Sequence, residues 1–528
     1  MYCISPPNCR RAGFGRASGE AGRQILLPVT CGVKQKRTRY RGTFSTAGAI
    51  AEWRGRLVRG DVLRLAPSGV LRHTPASLSR PDVALPRGSL SRCALVALLL
   101  LMVFPCLLPV GNASSVFSQA RPQQAEENQR TGQGYTLAPD RAEKAIAYAS
   151  ARRGLYFADF LYETLVLLLL VHWRFGPVVR DWAEGAGSNR FVQALIFAPA
   201  FQLTLGVLML PGSVTAHWLA RGFGQSIQSW DSWFWDWTKS QALVLVVGTL
   251  LIWLFYTGMR FSPRRWWLWT WLASLPIIVA AIFLVPLVVE PMFFHFSPLA
   301  ASRPELAGQL ERVVTHAGQE IPESRMYVMD ASSKLNTLNA YVTGLGASRR
   351  VVVWDTTIAR MTTPEILFVF GHEMGHYVLG HIRDGIEFAA GLLLVCLFAG
   401  FHVFRRVVGR WGEGWGVRGP ADWASLPILF LLLSLFSFVL TPIDNAYSRH
   451  LEHQADQYGL EVVHGIIPDV PEVAAQSFQI LGDVDLEEPS PSWPVKIWFY
   501  DHPPISERIL FARTYDPWAK GKSPAFVK

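Results

Sequence analysis

Apolar residues gather in seven stretches near the length that crosses a bilayer core, about 20 residues of helix. They lie near 93–111, 154–173, 191–211, 240–259, 266–289, 387–404 and 423–441. The pattern predicts a polytopic α-helical membrane protein with about seven transmembrane helices. Buried helices of a large soluble protein are the alternative, and so many closely spaced spans argue against it. Trp230, Trp233, Trp235 and Trp237 precede the fourth span, and Trp266, Trp267, Trp269 and Trp271 open the fifth. Indole rings at such flanks anchor at headgroup level. The first stretch reads two ways: Arg87 and Arg92 precede it and small residues follow at Gly111 and Ala113, which suits a membrane helix or a signal peptide over 93–112.

Composition changes little in this picture but removes other classes. Of 528 residues, 50% are hydrophobic and 17% charged, which excludes a disordered or collagenous chain. The net charge of +10 is uneven: residues 1–92 hold 17 Lys and Arg against 4 Asp and Glu, so the rest of the chain is slightly acidic. Basic charge on an arm without periodicity does not make a nucleic-acid surface, and no nucleic-acid partner is expected. The arm reads as disordered, or as sequence upstream of a start near Val83 or Leu85. Cys3, Cys9, Cys31, Cys93, Cys106 and Cys396 form neither a disulfide framework nor a thiolate metal site.

The expected organisation is therefore an arm over 1–92, a first span or signal peptide over 93–112, an N-terminal transmembrane domain over 113–289, and a hairpin of two spans over 387–441. Two further segments, 290–386 and 442–528, are free to fold outside the bilayer. Chemistry belongs there. Residues 325–330 and 350–354 have strand character, with Gly344 and Gly346 turning between them. A helix starts at Thr363-Pro364-Glu365, Thr as N-cap.

That helix carries His372-Glu373-Met374-Gly375-His376. Two histidines four apart share one face, so both rings reach one metal ion with Glu373 beside it. Two surface histidines on a helix are the bland alternative. Zinc suits the geometry, one ion per chain, with three protein ligands and an open position where water's pKa drops to about 7. Glu373 then serves as general base. Downstream, 448–456 reads as a helix with Glu452 and Asp456 on one face. Glu452 is the expected third ligand and Asp456 hydrogen-bonds a ligating histidine; His450 and His453 are rival ligands. His381, five residues after His376, falls off the ligand face and reads as packing or support. Asp159 and Glu163, four apart inside a span, read as lining a cavity or making an interhelical hydrogen bond.

The order of Asp330, Leu338-Asn339-Ala340-Tyr341, Gly344, Asp355-Thr356-Thr357, His372-Glu373-Met374-Gly375-His376, Ser448-Arg449, Glu452, Ala455-Asp456 and Asp501-His502-Pro503-Pro504 with Glu507-Arg508 resembles integral-membrane zinc metallopeptidases of the CAAX prenyl protease 1 type. The likeness covers roughly residues 140–515. It implies a barrel of seven membrane helices around a water-filled chamber, closed at one end by an α+β metallopeptidase domain. It also implies a substrate-binding edge strand at Asn339 and Ala340, a His502 that contacts substrate or transition state, an Arg508 behind the ligands, and C-terminal processing of prenylated proteins. The partners implied are a peptide or protein substrate, lipidated or membrane-bound, and membrane lipid. A quality-control protease for membrane proteins is the rival activity. A transporter or scaffold with structural zinc is the rival class.

Orientation follows from Lys and Arg in short loops. Arg260, Arg264 and Arg265 crowd one loop and Arg405, Arg406, Arg410 and Arg418 another, against Arg221 and Lys239 on the opposite side. Arg152 and Arg153 weigh the other way. The balance favours an extracytoplasmic catalytic site but leaves the face open, for eukaryotic members of the resembled family turn theirs to the cytosol.

Overall fold

The computed structural model describes residues 134–344 and 348–527. Within them six helices are long and apolar enough to cross a membrane. The expected span at 93–111, the basic arm and Gly346 lie outside the described residues. Apolar runs of this length become helices because hydrocarbon offers no partner to a backbone N–H or C=O, so each must be satisfied inside the segment. Four spans come first: α1 (Pro139–His172), then a short α2 (Phe175–Gly185), α3 (Arg190–Gly222), α4 (Trp230–Phe261) and α5 (Trp266–Leu284). The chain then leaves the bundle for a small α+β segment.

That segment contains β1 (Phe296–Pro298), α6 (Pro304–His316), β2 (Met326–Met329), β3 (Ala340–Thr343), β4 (Arg350–Trp354) and α7 (Thr363–Val378). The four strands lie in the order β1-β2-β4-β3, so β3 is an edge. β2 and β4, the two expected strands, pair in parallel, while β3 runs antiparallel to β4 with Ala340 opposite Val353. Two more spans follow, α8 (His381–Trp411) and α9 (Leu426–Val462), and then α10 (Val470–Asp485), α11 (Trp493–Phe499) and α12 (Ile505–Thr514). A buried core of Leu310, Val351, Phe368, Phe370, Tyr458 and Phe478 joins α6, the sheet, α7, α9 and α10.

The helices outrun their apolar cores. α1 starts at Pro139 rather than at 154, and its first turns reach the soluble segment: Arg141 pairs with Asp483 at 2.7 Å and Arg153 with Glu488 at 2.6 Å. The expected span at 423–441 and the expected helix at 448–456 are one element, α9, 37 residues long. Pro442 removes a rung of its ladder without stopping it. The boundary drawn at 441–442 thus falls inside a continuous helix. At the opposite end of the bundle the loops pack on one another, Arg174 donating to the Gly414 carbonyl and Arg180 to Asp422. Between α1, α3 and α9 lies a cavity of about 710 Å³, lined by Asp159, Glu163, Ser434 and Thr441 among others. Both readings of Glu163 hold: it faces this cavity and accepts a hydrogen bond from Ser434 at 2.9 Å.

Candidate metal centre

α7 opens with a capping box, in which the Thr362 amide donates to Glu365 at 2.6 Å, so the N-cap is Thr362 rather than the expected Thr363. The helix then crosses α9 on small residues. A methyl group on Gly375 would stand 3.0 Å from Tyr458 Cβ and 3.1 Å from Ala455 Cα; one on Gly459 would stand 3.0 Å from the His372 amide nitrogen. Gly371 and Gly375 on one helix and Ala455 and Gly459 on the other are each four apart, the spacing that lets two backbones touch. This contact sets Glu452 and Asp456 opposite the two histidines.

The result is a compact trio. His372 Nε2 lies 3.2 Å from His376 Nε2, and each is 3.3 Å from a Glu452 oxygen. A tetrahedral ion with bonds of 2.0–2.1 Å to N and O would have ligand–ligand edges of roughly 3.3 Å. Glu452 is buried, and its Oε2 makes no hydrogen bond although Nε2 of His372 and of His502 stand 3.3 and 3.2 Å from it. A buried carboxylate oxygen left that way is costly unless a cation faces it. Two imidazoles and a carboxylate at these distances fit zinc.

Behind His372 stands an ion pair. Its Nδ1 meets Asp456 at 2.8 Å, and the buried Arg508 guanidinium grips the same carboxylate at 2.6 and 2.9 Å while lying over the Phe478 ring. Burial disfavours charge on His372, yet its contacts with Asp456 and Glu452 push its pKa up to about 10. The pocket is thus built for positive charge, proton or metal. Glu373 lines the adjoining cavity of about 470 Å³, and burial raises its carboxyl above the ordinary range. His502 lines it too, with Nε2 3.2 Å from Glu452 and Nδ1 2.9 Å from Asp501. Partial desolvation opposes charge on the half-exposed His502, but Asp501 and Glu452 raise its pKa.

Asn339 also faces this cavity, its backbone tied to Thr357 Oγ1 through both N–H and C=O. Ala340 points into the core and offers only its main chain. The rivals His450 and His453 are exposed, the latter against the Phe511 ring, and neither joins the trio. The small-residue crossing went unread in the sequence, although the four-residue spacing of Gly371 and Gly375 around the histidines carried it. Gln454 was missed as well, for it gave no signal of its own.

A polytopic helical shell bearing this trio on an α+β segment defines a membrane metallopeptidase. Residues 300–516 match the profile of Peptidase family M48, and residues 133–295 match the CAAX prenyl protease N-terminal region, described as five membrane helices. An uncharacterized metalloprotease of Bacillus subtilis, YhfN, is 34% identical over 71% of this chain and 86% of its own. The Homo sapiens CAAX prenyl protease 1 homolog is 24% identical over 72% of this chain and 88% of its own. The crystal structure of S. mikatae Ste24p shares the fold, with a TM-score of 0.63 and 21% identity over 74% of this chain and 96% of that one. The chain belongs to peptidase family M48, with an N-terminal membrane region of the CAAX prenyl protease type.

Proposed function

We propose that the protein is a zinc-dependent endopeptidase whose single zinc ion is held by His372, His376 and Glu452. The observation that carries this reading is the set of edges of 3.2 and 3.3 Å closing on a gap beside the cavity that Glu373 lines. A bound zinc ion supplies a Lewis acid for the scissile carbonyl and acidifies water. Glu373 takes the proton of the attacking water and returns it to the leaving amine; its raised affinity for a proton suits both steps. Asp456 and Arg508 hold the His372 ring in the tautomer that presents Nε2. An extended peptide adds to the free edge of β3 through the main chain at Ala340, with the side chain of Asn339 facing the cavity beside it, and the Nε2–H of His502 donates to the developing oxyanion.

Peptide or protein substrates follow from the family; the lipidated, membrane-bound C-terminus named for the CAAX relatives is the substrate proposed here. The cavity between α1, α3 and α9 gives a membrane-bound chain room beside the site. Loop charge favours the extracytoplasmic side for the site, and a lipidated cytosolic C-terminus as substrate calls for the opposite one. A scaffold with structural zinc would call for four protein ligands; among the described residues the cluster holds three.

Purified protein should contain one zinc and cleave peptide. Glu373→Gln should keep the zinc and lose at least about 100-fold in kcat. Full cleavage by Glu373→Gln would remove the base assignment. A prenylated peptide should be cut much faster than its unlipidated twin, and equal rates would favour quality control over C-terminal processing.

A further inference from the structure

The two histidines of the proposed metal site are supported unequally. His372 leans on an anion, Asp456. His376 leans on a neutral group: its Nδ1 lies 3.0 Å from Nδ1 of His381, and Nε2 of His381 lies 3.1 Å from Oε1 of Gln454. His381 is buried, and Gln454 stands on α9 two residues past Glu452. The chain brings His381 there by a break. α7 ends at Val378, Gly380 takes φ +80°, and α8 restarts at His381, which folds the ring back over His376 instead of carrying it around the helix.

Proton positions follow from these distances. A ring that ligates through Nε2 carries its proton on Nδ1, so His376 donates and His381 Nδ1 must accept. His381 then holds its own proton on Nε2 and donates it to Gln454, whose carbonyl oxygen can only accept. Each member of the line fixes the next. We infer that His381 is a positioning residue for the metal site: with Gln454 it locks His376 in the tautomer and rotation that present Nε2 to the ion, without adding negative charge. The reading rests on the proposed zinc site. It also separates the two ligands' duties. Asp456 raises the basicity of His372, while the neutral support of His376 leaves the ion more electrophilic than two carboxylate-backed imidazoles would.

The test uses the full chain in detergent, stripped of metal and titrated with zinc against a chromogenic chelator. His381→Phe keeps a ring and loses the acceptor; His381→Asn places a side-chain oxygen near the former Nδ1. The Phe variant should bind zinc about 10- to 100-fold more weakly, as removing a ligand's support does elsewhere. The Asn variant should recover most of that loss. At saturating zinc the Phe variant should lose kcat with KM unchanged, because His381 is not among the residues lining the substrate cavity. Phe and Asn variants of equal affinity, or a Phe variant as tight as wild type, would overturn the inference. Should the Phe variant not fold, Gln454→Leu carries the test: weaker zinc binding supports the relay, unchanged binding overturns it. Wild type that takes up no zinc would instead sink the metal site itself.

Discussion

Burial gives single carboxyl groups of this molecule very different fates. Glu452 and Asp456 are buried against imidazole or guanidinium partners. Asp485 is half-buried at the end of α10, on the wall of the same cavity, with its Oδ1 unpartnered. Burial, and then the neighbouring Glu487, raise its pKa from 3.8 to about 7. The folded state therefore binds this proton more tightly than the unfolded chain. Stability from Asp485 is fully present below about pH 4 and declines as the pH rises, until it is lost above about pH 7. Asp485→Asn should raise the apparent melting midpoint at pH 8 by a few degrees and leave it nearly unchanged at pH 4. A rise of the same size at both pH values would show that charge is not the cause. Nothing in the sequence announced this group, because its shift comes from folded neighbours. His372, Glu373 and His376 were legible because four residues of helix fix their relation locally. His381 was legible as support or packing, and the Gly380 turn makes it support by folding it back over His376.

At the scale of elements, the crossing of α7 and α9 decides whether two local patterns become one site. Each pattern was readable alone, from the i,i+4 spacing of its acids or histidines. Their meeting was not, since contact between distant helices depends on which faces lack side chains. Adding a methyl at Gly459 presses on His372 N and Cα at 3.0 and 3.2 Å, backbone atoms that cannot swing aside. Overpacking of this kind costs about 1–3 kcal/mol, and here it also pushes Glu452 and His372 apart. Gly459→Ala should therefore lower both the melting midpoint and zinc affinity. Gly409→Ala, in α8 with open space around it, should do neither. Equal zinc binding by the two variants would show that the close approach does not set the ligand geometry. The same dependence on distant partners explains the seam at 441–442. An apolar run marks where lipid begins, and it is silent on how far the helix continues into water.

At the scale of the whole molecule, the six described spans return the chain to the end at which α1 starts, so both peptidase segments share one end with the first turns of α1. Only short loops and the residues beside each span weigh in the charge rule, since segments longer than about 60 residues cross largely regardless of their charge. At the end away from the site Arg260, Arg264 and Arg265 flank the turn between α4 and α5, while Arg405, Arg406, Arg410 and Arg418 flank that between α8 and α9. Arg260 lies over the Trp423 ring at 4.3 Å, tying the two turns together. At the site's end, the loop between α3 and α4 has Arg221 and Lys239 at its borders, and Lys239 is paired with Asp236 at 2.7 Å. Arg152 and Arg153 there weigh on the other side, Arg153 paired with Glu488 at 2.6 Å. By that rule the excess of positive charge favours the cytoplasm for the end away from the site, which would put the proposed metal site on the other side. In a background with the six native cysteines replaced, a membrane-impermeant maleimide should label Lys520→Cys in intact cells, since Lys520 is exposed beside the peptidase segment. The same reagent should reach Arg264→Cys only after permeabilisation. The reverse pattern would turn the site to the cytosol and give a lipidated cytosolic C-terminus direct access to it; the predicted pattern confines its substrates to chains that present their cleavable segment beyond the membrane.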